Sequence, residues 1–167
     1  MITGPVSRTL VAILDELANG MVVRTGGGPF VLNTGDVGLL RSLEQLSAED
    51  ASRSTNGGAT IAAHAQHLRY GLSLMNRWAR EGGNPFADAA WDEAWKIGAV
   101  HADQWNEIQR GLSDELKEWL KALASPREAN DVELGGMVGS IAHLAYHLGA
   151  IRQIHRGTRG PKEGTFP

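Results

Sequence analysis

Apolar side chains return every three or four residues in four long stretches of the chain, the spacing that gives an α-helix one buried face. Helix-boundary residues mark their ends: Gly20 follows the first stretch, Thr60 suits the N-cap of the second, and Pro126 follows the third. The four stretches cover residues 7–19, 60–81, 99–124 and 132–156. This pattern predicts an all-α protein, and specifically a four-helix bundle.

The connections between the long helices carry weaker patterns. Two short β-prone runs flank a glycine cluster within residues 21–32, which predicts a small β-hairpin insertion after the first helix. Residues 36–45 predict a short helix, residues 47–58 are polar enough for a surface connection, and residues 86–97 fit a loop or a short helix. We expect one domain over residues 1–160, followed by a flexible C-terminal tail over residues 161–167.

Composition and charge narrow the functional classes. The 167 residues are 42 % hydrophobic, with 16 Lys and Arg against 19 Asp and Glu, a balance that suits a soluble domain with a core. A sequence-independent nucleic-acid binder needs a basic face, so we expect no nucleic-acid partner. No apolar stretch approaches the roughly 20 residues of a membrane span, and the N-terminus is unlike a secretory signal. We therefore expect a cytoplasmic protein that does not bind membranes.

The chain contains no cysteine but six histidines. The absence of cysteine excludes disulfide frameworks, thiolate zinc sites, iron–sulfur clusters and cysteine nucleophiles. Any metal ion must therefore be held by nitrogen or oxygen ligands.

His143 and His147 stand four residues apart on the fourth long helix, so both imidazoles lie on one face and can bind one metal ion. The same spacing is compatible with a solvated or core-lining pair. Helical phase places both at the edge of the apolar stripe, together with Ser140. On the second long helix, His67 flanks the stripe and His64 lies nearer its centre. Two such helices facing one another would supply three nitrogen ligands and leave one position for water.

Two strings within these helices resemble the metal-site helices of the DinB/YfiT-like superfamily. They are Thr60-Ile-Ala-Ala-His-Ala-Gln-His-Leu and Ile141-Ala-His-Leu-Ala-Tyr-His-Leu-Gly-Ala-Ile-Arg-Gln. The likeness covers about residues 7–156, apart from the predicted hairpin. It implies a four-helix bundle that binds a divalent metal, often nickel or zinc, through one histidine of the second helix and an H-x-x-x-H pair of the last.

Residue by residue, the resemblance implies His67, His143 and His147 as metal ligands. His64 is the second choice for the second-helix ligand, or a partner that orients another group. Trp78 and Ser140 are candidates for the pocket wall. Trp91 and Trp95 could line its mouth, although core packing is the commoner role of tryptophan. Many family members carry Gln where this chain has Ala150, and the remaining histidines, His101 and His155, are predicted surface residues.

A metal ion with an open position can activate water or polarise a substrate atom. Leu144 follows the first histidine of the pair. The zincin motif has its Glu base at that position, so this helix is not a zincin helix. Relatives within the superfamily include mycothiol-dependent maleylpyruvate isomerases and bacillithiol transferases. The resemblance therefore implies transfer chemistry on a small-molecule substrate, with a low-molecular-weight thiol activated by the metal. A metal-dependent hydrolase and a non-catalytic homodimeric binding or stress-response module are the alternatives.

Overall fold

The computed structural model describes residues 4–21 and 28–162, and this part of the chain is all-α. Its elements are α1 (Pro5–Asn19), α2 (Gly38–Glu44), α3 (Ala48–Ala51), α4 (Ile61–Glu81), α5 (Trp91–Trp95), α6 (Ala102–Ala124), α7 (Asp131–Ile154) and a 3₁₀ turn (Arg156–Thr158). The four long helices predicted from periodicity correspond to α1, α4, α6 and α7.

The predicted β-hairpin is not supported. Residues 28–32, which were to form its second strand, contain no strand, and neither does any other described residue. Residues 22–27, around the glycine cluster, lie outside the described residues, as do residues 163–167 of the predicted tail. Pro29 and the neighbouring glycine favour irregular backbone over a strand ladder, since proline cannot donate a ladder hydrogen bond.

The four long helices pack around a common core. Helices α4 and α1 each contact both α6 and α7. The core is built mainly from leucine and other aliphatic side chains and from three tryptophans, Trp78, Trp105 and Trp119, and burial of these large side chains removes much apolar surface from water. Its largest fully buried members include Leu14, Leu68, Leu112, Leu116, Trp119, Leu144 and Ile151.

Helix α4 starts and stops at residues with clear capping chemistry. The Thr60 side chain accepts a hydrogen bond from the backbone N–H of Ala63, as predicted for an N-cap. Gly82 follows the last turn with φ of 74°, a conformation that glycine adopts at little cost. Helix α7 begins with a capping box in which the side chains of Asn130 and Glu133 each bind the other's backbone N–H. These caps define which residues of each helix can face the other.

Two short helices lie in segments without a clear periodic pattern. Helix α3 falls within residues 47–58, expected to be a surface connection only, and Ser47 and Asp50 form its capping box. Four residues are too few to show a period, so only the cap could have indicated this helix. Helix α5 resolves the choice left open for residues 86–97 in favour of a short helix.

Polar contacts hold the segment around α5 over α4. The Tyr70 hydroxyl accepts a hydrogen bond from the backbone N–H of Ala90 at 2.9 Å. The Arg77 guanidinium donates to the Pro85 carbonyl and to an Asp88 carboxylate oxygen, both at 2.7 Å. These bonds anchor the approach to α5 on the outer surface of α4.

Helix α7 is more apolar than expected from the chain's overall composition. It spans 24 residues, and its most apolar stretch has a mean hydropathy of 1.2, so by length and composition it could cross a membrane. This corrects the expectation that no stretch comes close. A core helix that is mostly buried passes the same test, but only 33 % of this stretch is buried, although α7 packs against α4 and α1.

A buried ion pair ties the loop before α2 to the end of α7. Arg152 Nη2 lies 2.7 and 2.9 Å from the two carboxylate oxygens of Asp36, whose side chain is 2 % exposed. The same carboxylate accepts the backbone N–H of Gly38 at 2.9 Å. With these partners, a charge that would be costly alone is fully compensated.

Replacing Arg152 with alanine should therefore destabilise the protein by about 3 kcal/mol, because the Asp36 carboxylate is left buried without its counter-ion. Urea unfolding of the variant measures the loss. Arg156→Ala, one turn further and exposed, is the matched control and should change the free energy of unfolding by less than about 0.5 kcal/mol. Equal effects of the two substitutions would contradict a structural role for this ion pair.

Candidate metal centre

Four of the six histidines meet between α4 and α7. Nε2 of His143 lies 3.1 Å from Nε2 of His67 and 2.9 Å from Nε2 of His147. One ring nitrogen from each of these three residues lies within 4.8 Å of the other two. The three histidines that the sequence singled out are thus brought together and could hold one metal ion.

The arrangement of the ring nitrogens suits a cation better than a hydrogen-bond network. A ring nitrogen carries either one hydrogen or one lone pair in the ring plane. His143 Nε2 can therefore hydrogen-bond to only one of its two neighbouring Nε2 atoms. A metal ion lies about 2.0–2.1 Å from each ligand nitrogen. Two ligand nitrogens are then roughly 2.9 Å apart when the angle between their bonds to the ion is 90°, and roughly 3.4 Å apart when it is tetrahedral. The two measured distances fall within that range, so the residues present fit a metal ion.

Burial keeps these imidazoles neutral. His67 is 7 % and His147 is 2 % exposed, whereas His143 is half-buried. Desolvation, reinforced by repulsion from His143 and His64, lowers the pKa of His67 to about 4. Desolvation, with repulsion from His143, His64 and His67, lowers the pKa of His147 to about 3. Neutral imidazoles at physiological pH have lone pairs free for a metal.

His64 lies behind His147 rather than beside the three Nε2 atoms. Its Nδ1 is 2.8 Å from Nδ1 of His147, so one of these nitrogens donates a proton to the other. With His147 Nδ1 as the donor, its Nε2 presents a lone pair towards His143. The geometry favours His67 as the α4 ligand and His64 as the partner that orients His147.

Burial on α4 differs from the order that helical phase suggested. Phase placed His64 nearer the core than His67, yet His67 is buried and His64 is half-buried. The reason is α5, which a periodicity analysis of the long helices does not include. The Trp95 ring stacks on His67 with centroids 4.2 Å apart and 24° between the planes, and the Trp91 ring lies 5.3 Å from His67.

Both tryptophans of α5 therefore lie against the histidine cluster, and Trp91, but not Trp95, also lines the pocket beside His143. Trp95 also meets His64 edge-on at 5.4 Å. His67 Nδ1 is buried and has no hydrogen-bond partner among the described residues. An apolar cover of this kind restricts water and strengthens electrostatic interactions with a bound ion.

A pocket of about 370 Å³ opens beside His143, and Ser140 forms part of its wall. The Ser140 hydroxyl accepts the indole N–H of Trp119 at 2.9 Å and donates to the Met137 carbonyl at 2.7 Å. Trp78, the other predicted wall residue, does not line this pocket. It lies three turns beyond His67, where it packs edge-to-face on Trp119 and lines an adjacent pocket of about 340 Å³.

The last two histidines stand apart from the cluster. His101 is exposed at the N-cap of α6. His155 was expected at the surface and is half-buried: its Nδ1 accepts the Gly157 N–H at 3.1 Å and its Nε2 lies 3.4 Å from a carboxylate oxygen of Asp50. It therefore caps the 3₁₀ turn after α7.

Protein-family models, curated proteins and solved structures contain no significant match to this chain.

The two α4 histidines should differ when each is replaced by alanine. His67→Ala removes one of three ligands and should abolish stoichiometric metal binding. His64→Ala removes only the partner of His147 and should weaken affinity by about 10–100-fold. Competition titrations with a chromogenic chelator, with His101→Ala as control, measure both. Loss of binding in His64→Ala with retention in His67→Ala would reverse the assignment.

The buried histidines should also make the metal-free protein sensitive to acid. Their folded pKa values lie below the ordinary value of 6.5, so below about pH 6.5 the unfolded chain binds more protons than the folded one. These histidines therefore leave the free energy of unfolding unchanged above that pH. As the pH falls from about 6.5 towards about 4, they lower the free energy of unfolding. Urea unfolding with chelator present should show this fall, and His147→Gln should show a shallower one. An unchanged slope in His147→Gln would contradict the argument.

Proposed function

We propose that this chain is a four-helix bundle of the DinB/YfiT-like type that binds one divalent metal ion, nickel or zinc, through His67, His143 and His147. The observation that carries the proposal is the convergence of three neutral Nε2 atoms from α4 and α7. Three protein nitrogens leave a coordination position for a ligand, as in catalytic rather than structural sites.

The favoured activity is a metal-dependent transfer that uses a low-molecular-weight thiol. When bound, the ion supplies Lewis-acid activation of a thiol or carbonyl. The chain's own residues supply the rest: His64 orients His147, the α5 tryptophans exclude water, and the pocket beside His143 receives the substrate. Among the described residues the metal-capable group contains imidazoles and no carboxylate, so a hydrolase that used a carboxylate base would have to supply it from outside this group.

The rival from another class is a non-catalytic homodimeric module. The outer face of α7 favours it, because apolar residues are exposed there: Val138 is 51 % and Tyr146 is 69 % exposed. Apolar helix faces of this kind are commonly covered by a partner. Light scattering on the metal-free and metal-loaded protein measures whether a dimer forms and whether the metal matters to it.

The metal proposal is tested on protein purified without a His-tag. After incubation with nickel or zinc and removal of excess ion, one ion per chain is expected by elemental analysis. His143→Ala and His147→Ala should each lose it, and His101→Ala should retain it. Less than stoichiometric metal in the unsubstituted protein, or full retention in His143→Ala, would contradict the site.

The reaction class requires a turnover screen with the metal-loaded protein. Small thiols paired with electrophiles should react, whereas esters and amides without a thiol should not. His67→Ala and metal-free protein are the controls. Turnover of esters or amides alone would favour the hydrolase, and no turnover together with a stable dimer would favour the binding module.

A further inference from the structure

The pocket beside His143 differs sharply in character from the imidazole cluster it adjoins. Its volume of about 370 Å³ is within the usual range of ligand pockets, roughly 300–1,000 Å³. Of the described residues that line it, none carries an acidic, lysine or arginine side chain. Leucine, methionine and aromatic side chains form most of the wall. His143 is the lining residue that it shares with the imidazole cluster.

The polar atoms at the wall are largely satisfied. The Ser140 hydroxyl already donates to Met137 and accepts from Trp119. It can offer a ligand only one remaining acceptor site. A charged or strongly polar group placed here would lose its water without gaining partners, which is unfavourable. The pocket therefore suits an uncharged apolar group.

Three glycines inside helices form part of the same wall: Gly71 on α4, and Gly136 and Gly139 on α7. Glycine within a helix is less stable than alanine, so its presence needs a reason. Packing does not supply one, because a Cβ at Gly71 or Gly136 would meet neighbours at 3.7 Å or more and one at Gly139 would meet nothing within 4 Å. Gly111 on α6 provides the contrast, since its Cβ would lie 2.2 Å from Arg69 Nε. The three wall glycines instead leave the pocket open.

We propose that this pocket binds an uncharged aromatic or branched aliphatic group of the substrate, whose polar head binds at the metal. This inference rests on the proposed function for the head group. For the apolar group, the pocket wall supports the proposal independently. The rings of Phe86 and Trp91 stack beside the glycines, with centroids 5.9 Å apart and 27° between their planes. Stacked rings of this kind suit a flat ring system in the ligand.

Two hydroxamic acids with the same metal-binding head test the pocket. Acetohydroxamic acid carries only a methyl group, and benzohydroxamic acid carries a phenyl ring. Calorimetry on zinc-loaded protein should show benzohydroxamic acid binding about tenfold tighter or more, because its ring is removed from water. Gly139→Leu should reduce this gain to less than about threefold, since its side chain fills the pocket.

Gly149→Leu is the matched control. It lies on the same helix, a Cβ there meets nothing within 4 Å, and it does not line the pocket. Both substitutions should raise the melting temperature. Only Gly139→Leu should lose the tighter binding of benzohydroxamic acid relative to acetohydroxamic acid, which is the phenyl gain. Gly136→Leu serves as a second pocket-filling variant should Gly139→Leu fail to fold. Equal affinity for the two acids in the unsubstituted protein, or a phenyl gain that survives both pocket substitutions, would overturn the proposal.

Toluene binding to metal-free protein, observed by NMR, separates this proposal from the metal site. Toluene should bind the unsubstituted protein and Gly149→Leu, and Gly139→Leu should exclude it. If neither hydroxamic acid binds but toluene does, the pocket stands and the metal assignment fails. If both acids bind equally and toluene does not, the metal assignment stands and the pocket proposal fails.

Discussion

The candidate site depends on one constraint, the withdrawal of imidazoles from water between α4 and α7: His67 and His147 are buried, and His64 and His143 are half-buried. A buried histidine is tolerated when it stays neutral and its nitrogens find partners. His64 and His147 satisfy one another through their Nδ1 atoms, but the Nε2 atoms of His67 and His147 both lie close to Nε2 of His143. One hydrogen bond cannot satisfy all three, whereas one cation can. The desolvation that lowers their pKa values is thus the condition that makes them good ligands.

Features remote from the histidines serve this arrangement. The Thr60 cap and the Asn130 capping box define where α4 and α7 begin. Tyr70 and Arg77 hold the approach to α5, and α5 in turn places its indole rings against His67. At the other end of α7, Arg152 binds Asp36 and joins that helix to the loop before α2. The site therefore depends on capping and polar anchoring as much as on core packing.

Long-helix periodicity and ligand spacing were sufficient to predict the all-α class, the Thr60 cap and a site where an α4 histidine meets His143 and His147. The choice of His67 as that histidine came from the family resemblance. Periodicity and spacing could not rank His64 against His67, because burial on α4 depends on Trp95, which belongs to a five-residue helix without a period. The hairpin expected around residues 21–32 came from local β propensity, which depends strongly on tertiary context. Trp78, a candidate wall residue from helical phase, lines the adjacent pocket and not the one beside His143, because helical phase records angle but not distance along the axis.

Helix α7 is apolar for the same reason that it forms part of the site. A helix that contributes two histidines and two glycines to one face leaves little room for charges there, and its acidic and arginine residues, Asp131, Glu133 and Arg152, lie near its ends.

The stacking of Trp95 on His67 has an optical consequence. An indole in face-to-face contact with an imidazole changes its emission when that ring gains a proton or a metal ion, because the ring then becomes a better electron acceptor. Trp95 is also 38 % exposed, so its emission differs from that of the buried Trp105 and Trp119. The protein thus contains an intrinsic fluorophore in contact with its candidate metal site, through which binding of an added ion can be followed in real time without a label.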